Sequence, residues 1–252
     1  MKRFMKLLAS LLALGVLSAG LAAQSTSASL NDSAIQARAT QKLAAKQEFR
    51  NLRASAEDGI ATLTGTVELY QQKLDAAKAI RKLPNVQGVR NLIAVQGKNV
   101  PDADLTAQLD RKIFYDRIGY DNLFNYVAAS VKDGVAVLNG ETRTEFDRNS
   151  ALSLVDNTPG VKDVVNNIQV SPVSNFDDGI RIRASRAIYR DPVLGRYGSD
   201  PAMPIRIVVA NGKLTLYGTV ESKMDKEIAG IRANQIPGVF SVQNDLEVAR
   251  HS

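Results

Sequence analysis

Side chains able to carry out chemistry are scarce in this chain of 252 residues, which has one histidine, His251, and no cysteine. Without cysteine there is no thiol nucleophile, and one imidazole at the penultimate position gives no support to a Ser–His–Asp relay or an ordinary zinc site. No phosphate-binding Gly loop, dinucleotide fingerprint or nucleophile elbow occurs, and no run alternates acids with glycine as a calcium loop does. Asp177 and Asp178 form a carboxylate pair, but a place at a helix start explains them better, since acids are favourable there. Other acids are plentiful, and nothing marks any two as partners. The chain reads as non-enzymatic, with no cofactor and no metal.

What remains is the chemistry of surfaces. In "QQKLDAAKAIRKL", a rotation of 100° per residue puts Leu69, Ala76, Ile80 and Leu83 on an inner face. Lys78, Arg81 and Lys82 project from the other side, with Lys73 nearer the boundary. Such a cationic face suits an anionic surface. A second candidate is "IFYDRIGYDNLFNY", which holds five of the fourteen aromatics: Phe114, Tyr115, Tyr120, Phe124 and Tyr126. Aromatics at a helix end can sit at a headgroup boundary or anchor a protein partner. Phe124 is expected in the core.

The elements that position these residues are written three times. "DGIATLTGTV", "DGVAVLNGET" and "NGKLTLYGTV" share a turn pair ending at Gly59, Gly134 and Gly212. DG and NG pairs between alternating apolar residues signal two-residue hairpins, because both central positions need positive φ. Before the turn the apolar positions are Leu52, Ala54 and Ala56; Val127, Ala129 and Val131; and Ile205, Ile207 and Val209. After it they are Ala61 and Leu63; Ala136 and Leu138; and Leu214 and Leu216. Period 2 on both sides predicts a hairpin with one buried face.

Six residues beyond each turn a second glycine, Gly65, Gly140 or Gly218, is expected to end the second strand. A helix follows, opened by Thr144-x-x-Asp147 and Ser222-x-x-Asp225 in two copies. Ala76, Ala151 and Ala229 align within it, and Pro84, Pro159 and Pro237 are expected to stop it. A third strand then carries the Val86, Val89, Asn91 and Val95 columns, repeated at Val161, Val164, Asn166 and Val170 and at Val239, Val242, Asn244 and Val248. A strand–helix–strand run of this kind is expected to pair in parallel. An apolar-periodic helix precedes each hairpin: Ile35, Ala39 and Leu43; Leu105, Leu109 and Ile113; Ile180, Ala184, Ala187 and Ile188. The fold class is α/β (α+β): three tandem αββαβ modules at 33–97, 104–171 and 177–249, each a small three-stranded mixed sheet with two helices. Cores this small are marginal alone, and the sequence leaves open whether neighbouring modules pack on each other. In the third copy, "RDPVLGRYGSDPAMP" reads as a surface loop, a common place for a binding feature.

Residues 1–23 read as a signal peptide, with a basic start, an apolar stretch too short to span a bilayer, and cleavage after Ala23 or Ala28. Later residues offer no transmembrane segment. Without Lys2, Arg3 and Lys6 the net charge falls from +6 to +3, so composition gives no case for nucleic acid. The product is expected in the periplasm, soluble, and not a lipoprotein, since no cysteine follows the signal. Charge is uneven: 10 basic and 5 acidic side chains in 33–97, 7 and 10 in 104–171, and 10 and 9 in 177–249.

The hairpin pairs, "TLTGTV", the helix alanine and "PNVQGVRNLIAV", "PGVKDVVNNIQV" and "PGVFSVQNDLEV" resemble the BON family of bacterial envelope modules, across nearly all of the chain after residue 23. The overall plan is similar to osmotically induced periplasmic BON proteins. The resemblance implies attachment to anionic phospholipid surfaces or to envelope proteins, with no catalytic residues to transfer. By position it maps Phe114 and Tyr115 to a lipid-contacting first helix. Lys78, Arg81 and Lys82 complete the expected lipid site.

Overall fold

The computed structural model describes residues 17–115, 123, 125–171, 174–198 and 205–249, with 17–30 described as backbone alone. Two compact units divide the chain, Met1–Gln96 and Gly97–Ser252, so the first repeat stands in one unit and the second and third share the other. The first 16 residues of the expected signal peptide, Tyr120, Phe124 and His251 lie outside the described residues.

In the first unit, helix α1 (Leu17–Ala44) leads to a hairpin of β1 (Leu52–Glu57) and β2 (Ile60–Val67), then α2 (Tyr70–Arg81), β3 (Gly88–Asn91) and β4 (Ala94–Val95). α1 runs without a break past both expected cleavage points. β1 pairs antiparallel with β2, and β3 and β4 pair parallel with β2, so β2 is the central strand. One core collects Ile35, Ala39 and Leu43 from α1, Ala61 and Leu63 from β2, and Ala76 and Ile80 from α2.

The second unit contains the same order twice. First come α3 (Asp102–Tyr115), β5 (Tyr126–Lys132), β6 (Val135–Thr142), α4 (Glu145–Asp156) and β7 (Asp163–Val170). Then follow α5 (Asn175–Tyr189), β8 (Arg206–Ala210), β9 (Lys213–Tyr217), β10 (Thr219–Val220), α6 (Lys223–Asn234), β11 (Ser241–Asn244) and β12 (Glu247–Val248). The hairpins are antiparallel and the returning strands parallel, as in the first unit. These are the three αββαβ modules expected from the repeat.

The turns have the expected geometry. Asp58–Gly59, Asp133–Gly134 and Asn211–Gly212 all take positive φ, 51° and 77°, 54° and 79°, and 51° and 76°. Each pair of turn amides also donates to a carboxylate from the module's first helix region. Asp32 accepts from Asp58 and Gly59, Asp102 from Asp133 and Gly134, and Asp177 from Asn211 and Gly212, at 2.7–3.0 Å. That places Asp177 in a structural role. The repeated asparagines are structural too: Asn91 and Asn244 donate to the Lys73 and Lys226 carbonyls of α2 and α6, and both accept an amide two residues on.

Two expectations need correction. Gly65 and Gly140 lie inside β2 and β6 rather than ending them, and in the third copy β10 resumes directly after Gly218. They are required because the neighbouring chain crosses there: a Cβ on Gly65 would stand 2.2 Å from the Asn51 carbonyl oxygen, and one on Gly140 1.9 Å from that of Tyr126. The irregular stretch of the third copy is not simply a surface loop. Its Leu194 and Tyr197 are buried in the module core, and Asp191 accepts from Arg232 of α6 at 2.8 Å. Two apolar side chains facing inward make this segment part of the core.

The expected caps form: Thr144 and Ser222 accept the amides of Asp147 and Asp225. In module 1, Gln72 instead reaches back to the amides of Glu68 and Leu69. Each second helix ends three residues ahead of its proline. At the end of α4, burial pushes the Asp156 carboxyl up to about 6 from 3.8. A pKa raised by folding favours the fold fully below about pH 4, and that contribution is lost as pH rises through about 6. Asp156→Asn should therefore stabilise the second unit by about 1–2 kcal/mol near neutral pH. The gain should vanish near pH 4, which urea unfolding at both pH values will read.

Candidate functional site

α2 buries Ala76, Ala77 and Ile80 on its inner face, while Leu74 is exposed. Lys78, Arg81 and Lys82 are exposed in and just beyond its last turn, and none is in an ion pair among the described residues. Cations there complement the partial negative charge of a helix C-terminus, and their ammonium and guanidinium groups stay available to an external anion. Lys73, nearer the sheet, lies 5.8 Å from the centre of the Tyr70 ring. Spacing alone had given the outward direction of all three.

The aromatic stretch of module 2 is divided. Tyr115, 59% exposed, faces outward. Phe114 is half-buried, with the Arg206 guanidinium 4.8 Å from its ring centre and Tyr115 edge-on at 4.8 Å. Tyr126 stacks on Tyr217 at 5.4 Å. Phe114 and Tyr126 thus join module 2 to module 3, where cation–π and stacking contacts gain from being desolvated. Arg143 completes the contact, donating to Asp178 at 2.6 Å, while Asp178 also accepts from the buried Arg181 at 2.7 Å. Of the aromatics assigned to a lipid surface, Tyr115 alone is largely free of the module contact. Burial pushes the Asp110 carboxyl up, against the Ala129 amide and the Arg206 charge that pull it down.

One exposed feature escaped the sequence reading. Phe176 and Phe240, 49% and 76% exposed, lie 5.6 Å apart beside the third hairpin turn. Phe240 covers Gly212 where Gln87 covers Gly59 and Lys162 covers Gly134. The column was in register, and comparing its three side chains would have shown one aromatic against two polar residues.

Among the described residues no three His, Asp or Glu side chains gather as a metal centre, and no helix is long and apolar enough to cross a membrane. Among the described residues, one open hollow is lined by Asn31, Asp32, Asp58, Gly59 and Gln87 around the first turn.

The family model for the BON domain matches residues 31–97, 101–172 and 193–250. No curated protein matches the chain. Among solved structures, one similar chain is CdsD, a structural protein of the type III secretion system of Chlamydia trachomatis. It is 12% identical over 88% of this chain and 93% of that one, with a TM-score of 0.25. Another is the periplasmic domain of the type III secretion inner-membrane protein PrgH from S. typhimurium, 12% identical over 81% and 96%, with a TM-score of 0.20. Scores this low carry no argument about function.

Proposed function

The chain belongs to the BON domain family, and from that premise we propose that it is an exported, non-enzymatic protein of the periplasm that docks on anionic phospholipid at the cell envelope, under osmotic stress. The observation that carries this reading is the trio Lys78, Arg81 and Lys82, exposed together without counter-ions among the described residues. Each cation near an anionic bilayer contributes roughly 1 kcal/mol. Three together give about a hundredfold in affinity, which supports reversible, salt-sensitive attachment.

Co-sedimentation of the chain with neutral and with anionic vesicles over a salt series tests this. Binding should need anionic lipid and fall as salt rises. Reversing the three cations (Lys78→Glu, Arg81→Glu, Lys82→Glu) should weaken it about a hundredfold. Unchanged binding by the variant would remove the site from α2.

A second reading, an adaptor or holding factor for envelope proteins, draws on the exposed Phe176–Phe240 pair, since paired aromatics are strong protein anchors. It gains if the chain binds no vesicle at any salt.

A further inference from the structure

The first strand of each module is an edge strand, and the three edges are treated differently. Ala129 and Val131 of β5 turn their amides away from β6, and α3 covers both: Asp110 accepts from Ala129 at 3.0 Å and Thr106 from Val131 at 3.1 Å. At β8, the carbonyls of Val209 and of Ile205 just before the strand accept from Arg181 and Tyr189 of α5. Such capping removes the open row of donors and acceptors that otherwise recruits another strand.

β1 has α1 packed against it but no such side-chain caps among the described residues. Its Ala54 and Ala56 stand at the same distance from the turn glycine as Ala129 and Val131, so their amides also point away from the hairpin. Neither makes a side-chain hydrogen bond among the described residues. On α1 the places of Thr106 and Asp110, counted from the turn-capping aspartate, are taken by Gln36 and Thr40. The Thr40 hydroxyl donates back to the Gln36 carbonyl at 2.9 Å, within its own helix. Arg53, Ser55 and Glu57 are exposed on the outer face, and neither Arg53 nor Glu57 has an ion-pair partner among the described residues.

We propose that the edge of β1 pairs antiparallel with β1 of a second copy of this chain, about a two-fold axis through Ser55. The register follows from the free groups together with the charges. Ala54, Ala56 and, by the same alternation, Leu52 direct N–H and C=O outward, which fixes the parity of a symmetric pairing. Among the registers of that parity, the one chosen by its charges sets Ala54 of one copy opposite Ala56 of the other, hydrogen-bonded in both directions. That register places Arg53 opposite Glu57 of the second copy, and Glu57 opposite its Arg53. These are non-hydrogen-bonded positions, where side chains approach most closely. "RASAE" is thus charge-complementary to itself when reversed, with small residues between the charges. A one-residue slip would set outward-facing groups against residues already bonded to β2.

Sedimentation velocity of the full chain over a concentration series tests the pairing. The wild type should shift from monomer to dimer as concentration rises. Arg53→Glu, which puts Glu opposite Glu twice, should weaken the dimer about tenfold or more. The swapped variant, Arg53→Glu with Glu57→Arg, restores opposite charges and should recover dimerisation to within about threefold. Both positions are exposed, and circular dichroism will check that folding is kept. A wild type that stays monomeric throughout overturns the proposal and leaves the edge to a strand of another protein. A dimer indifferent to Arg53→Glu, or not rescued by the swap, overturns it by placing the contact elsewhere.

Discussion

Gly65→Ala should cost module 1 about 3 kcal/mol or more, while Gly88→Ala in the same module should change its stability by less than about 0.5 kcal/mol. The two exchanges remove the same flexibility from the unfolded chain, so the contrast isolates the folded state. Gly65 sits at φ +113°, and a Cβ there would meet the Asn51 carbonyl oxygen at 2.2 Å and the Leu52 Cα at 3.0 Å. Both are backbone atoms at the entry to β1, opposite Gly65 in the ladder. Neither can swing aside as a side chain would. Gly88 has no positive φ, and its Cβ would touch only the Ile60 side chain, at 3.9 Å. A module this small holds little stability in reserve. Amide hydrogen exchange over 52–67, read by mass spectrometry, should rise sharply in the first variant and hardly in the second. Equal behaviour of the two would refute the close-approach account.

That glycine also marks where sequence reading succeeds and where it stops. Its triplicated register was visible, and so were the hairpins, the helix alanines and the outward cations of α2. All of these follow from local periodicity within one repeat. The reason for Gly65 was not visible, because the Asn51 carbonyl that forbids a side chain meets it only once the hairpin has formed. The turn-capping aspartates were hidden for a related cause: Asp32, Asp102 and Asp177 precede their turn glycines by 27, 32 and 35 residues, so no fixed column holds them. Phe114 and Tyr126 were recognised within one aromatic stretch, and Phe114 was mapped to a lipid-contacting helix. Their partners, Arg206 and Tyr217, come from a different repeat, and pairing between repeats leaves no periodic trace. The cations were given by the helix period, whereas the aromatics depended on how two modules meet.

The same meeting of modules yields the other large expected effect. Asp178→Ala should destabilise the second unit by about 3–5 kcal/mol, because it strands a buried charge. Arg181 is 7% exposed and has two partners, the Asp178 carboxylate at 2.7 Å and the Val209 carbonyl of β8. Losing the carboxylate leaves the guanidinium desolvated, with a neutral acceptor in place of a counter-charge. Arg143→Met should cost far less, about 1 kcal/mol, since Arg143 is about a third exposed and Asp178 keeps its bond to Arg181. The difference has a second consequence. Arg143 is the member of the trio that belongs to module 2, so its loss should loosen the contact between modules 2 and 3 while leaving module 3 itself intact. Exchange should then quicken around Phe114, Tyr126 and Tyr217, with little change in the third core. The desolvation account also predicts a rescue: Asp178→Leu with Arg181→Met replaces both charges by apolar groups and should recover most of the loss seen for Asp178→Ala alone. Urea unfolding of the three variants beside the wild type decides between the two origins of the effect. If the double variant is as unstable as Asp178→Ala, the attraction itself was holding the unit together; if it recovers, the cost was the stranded charge, and the trio serves to align two modules rather than to stabilise either one.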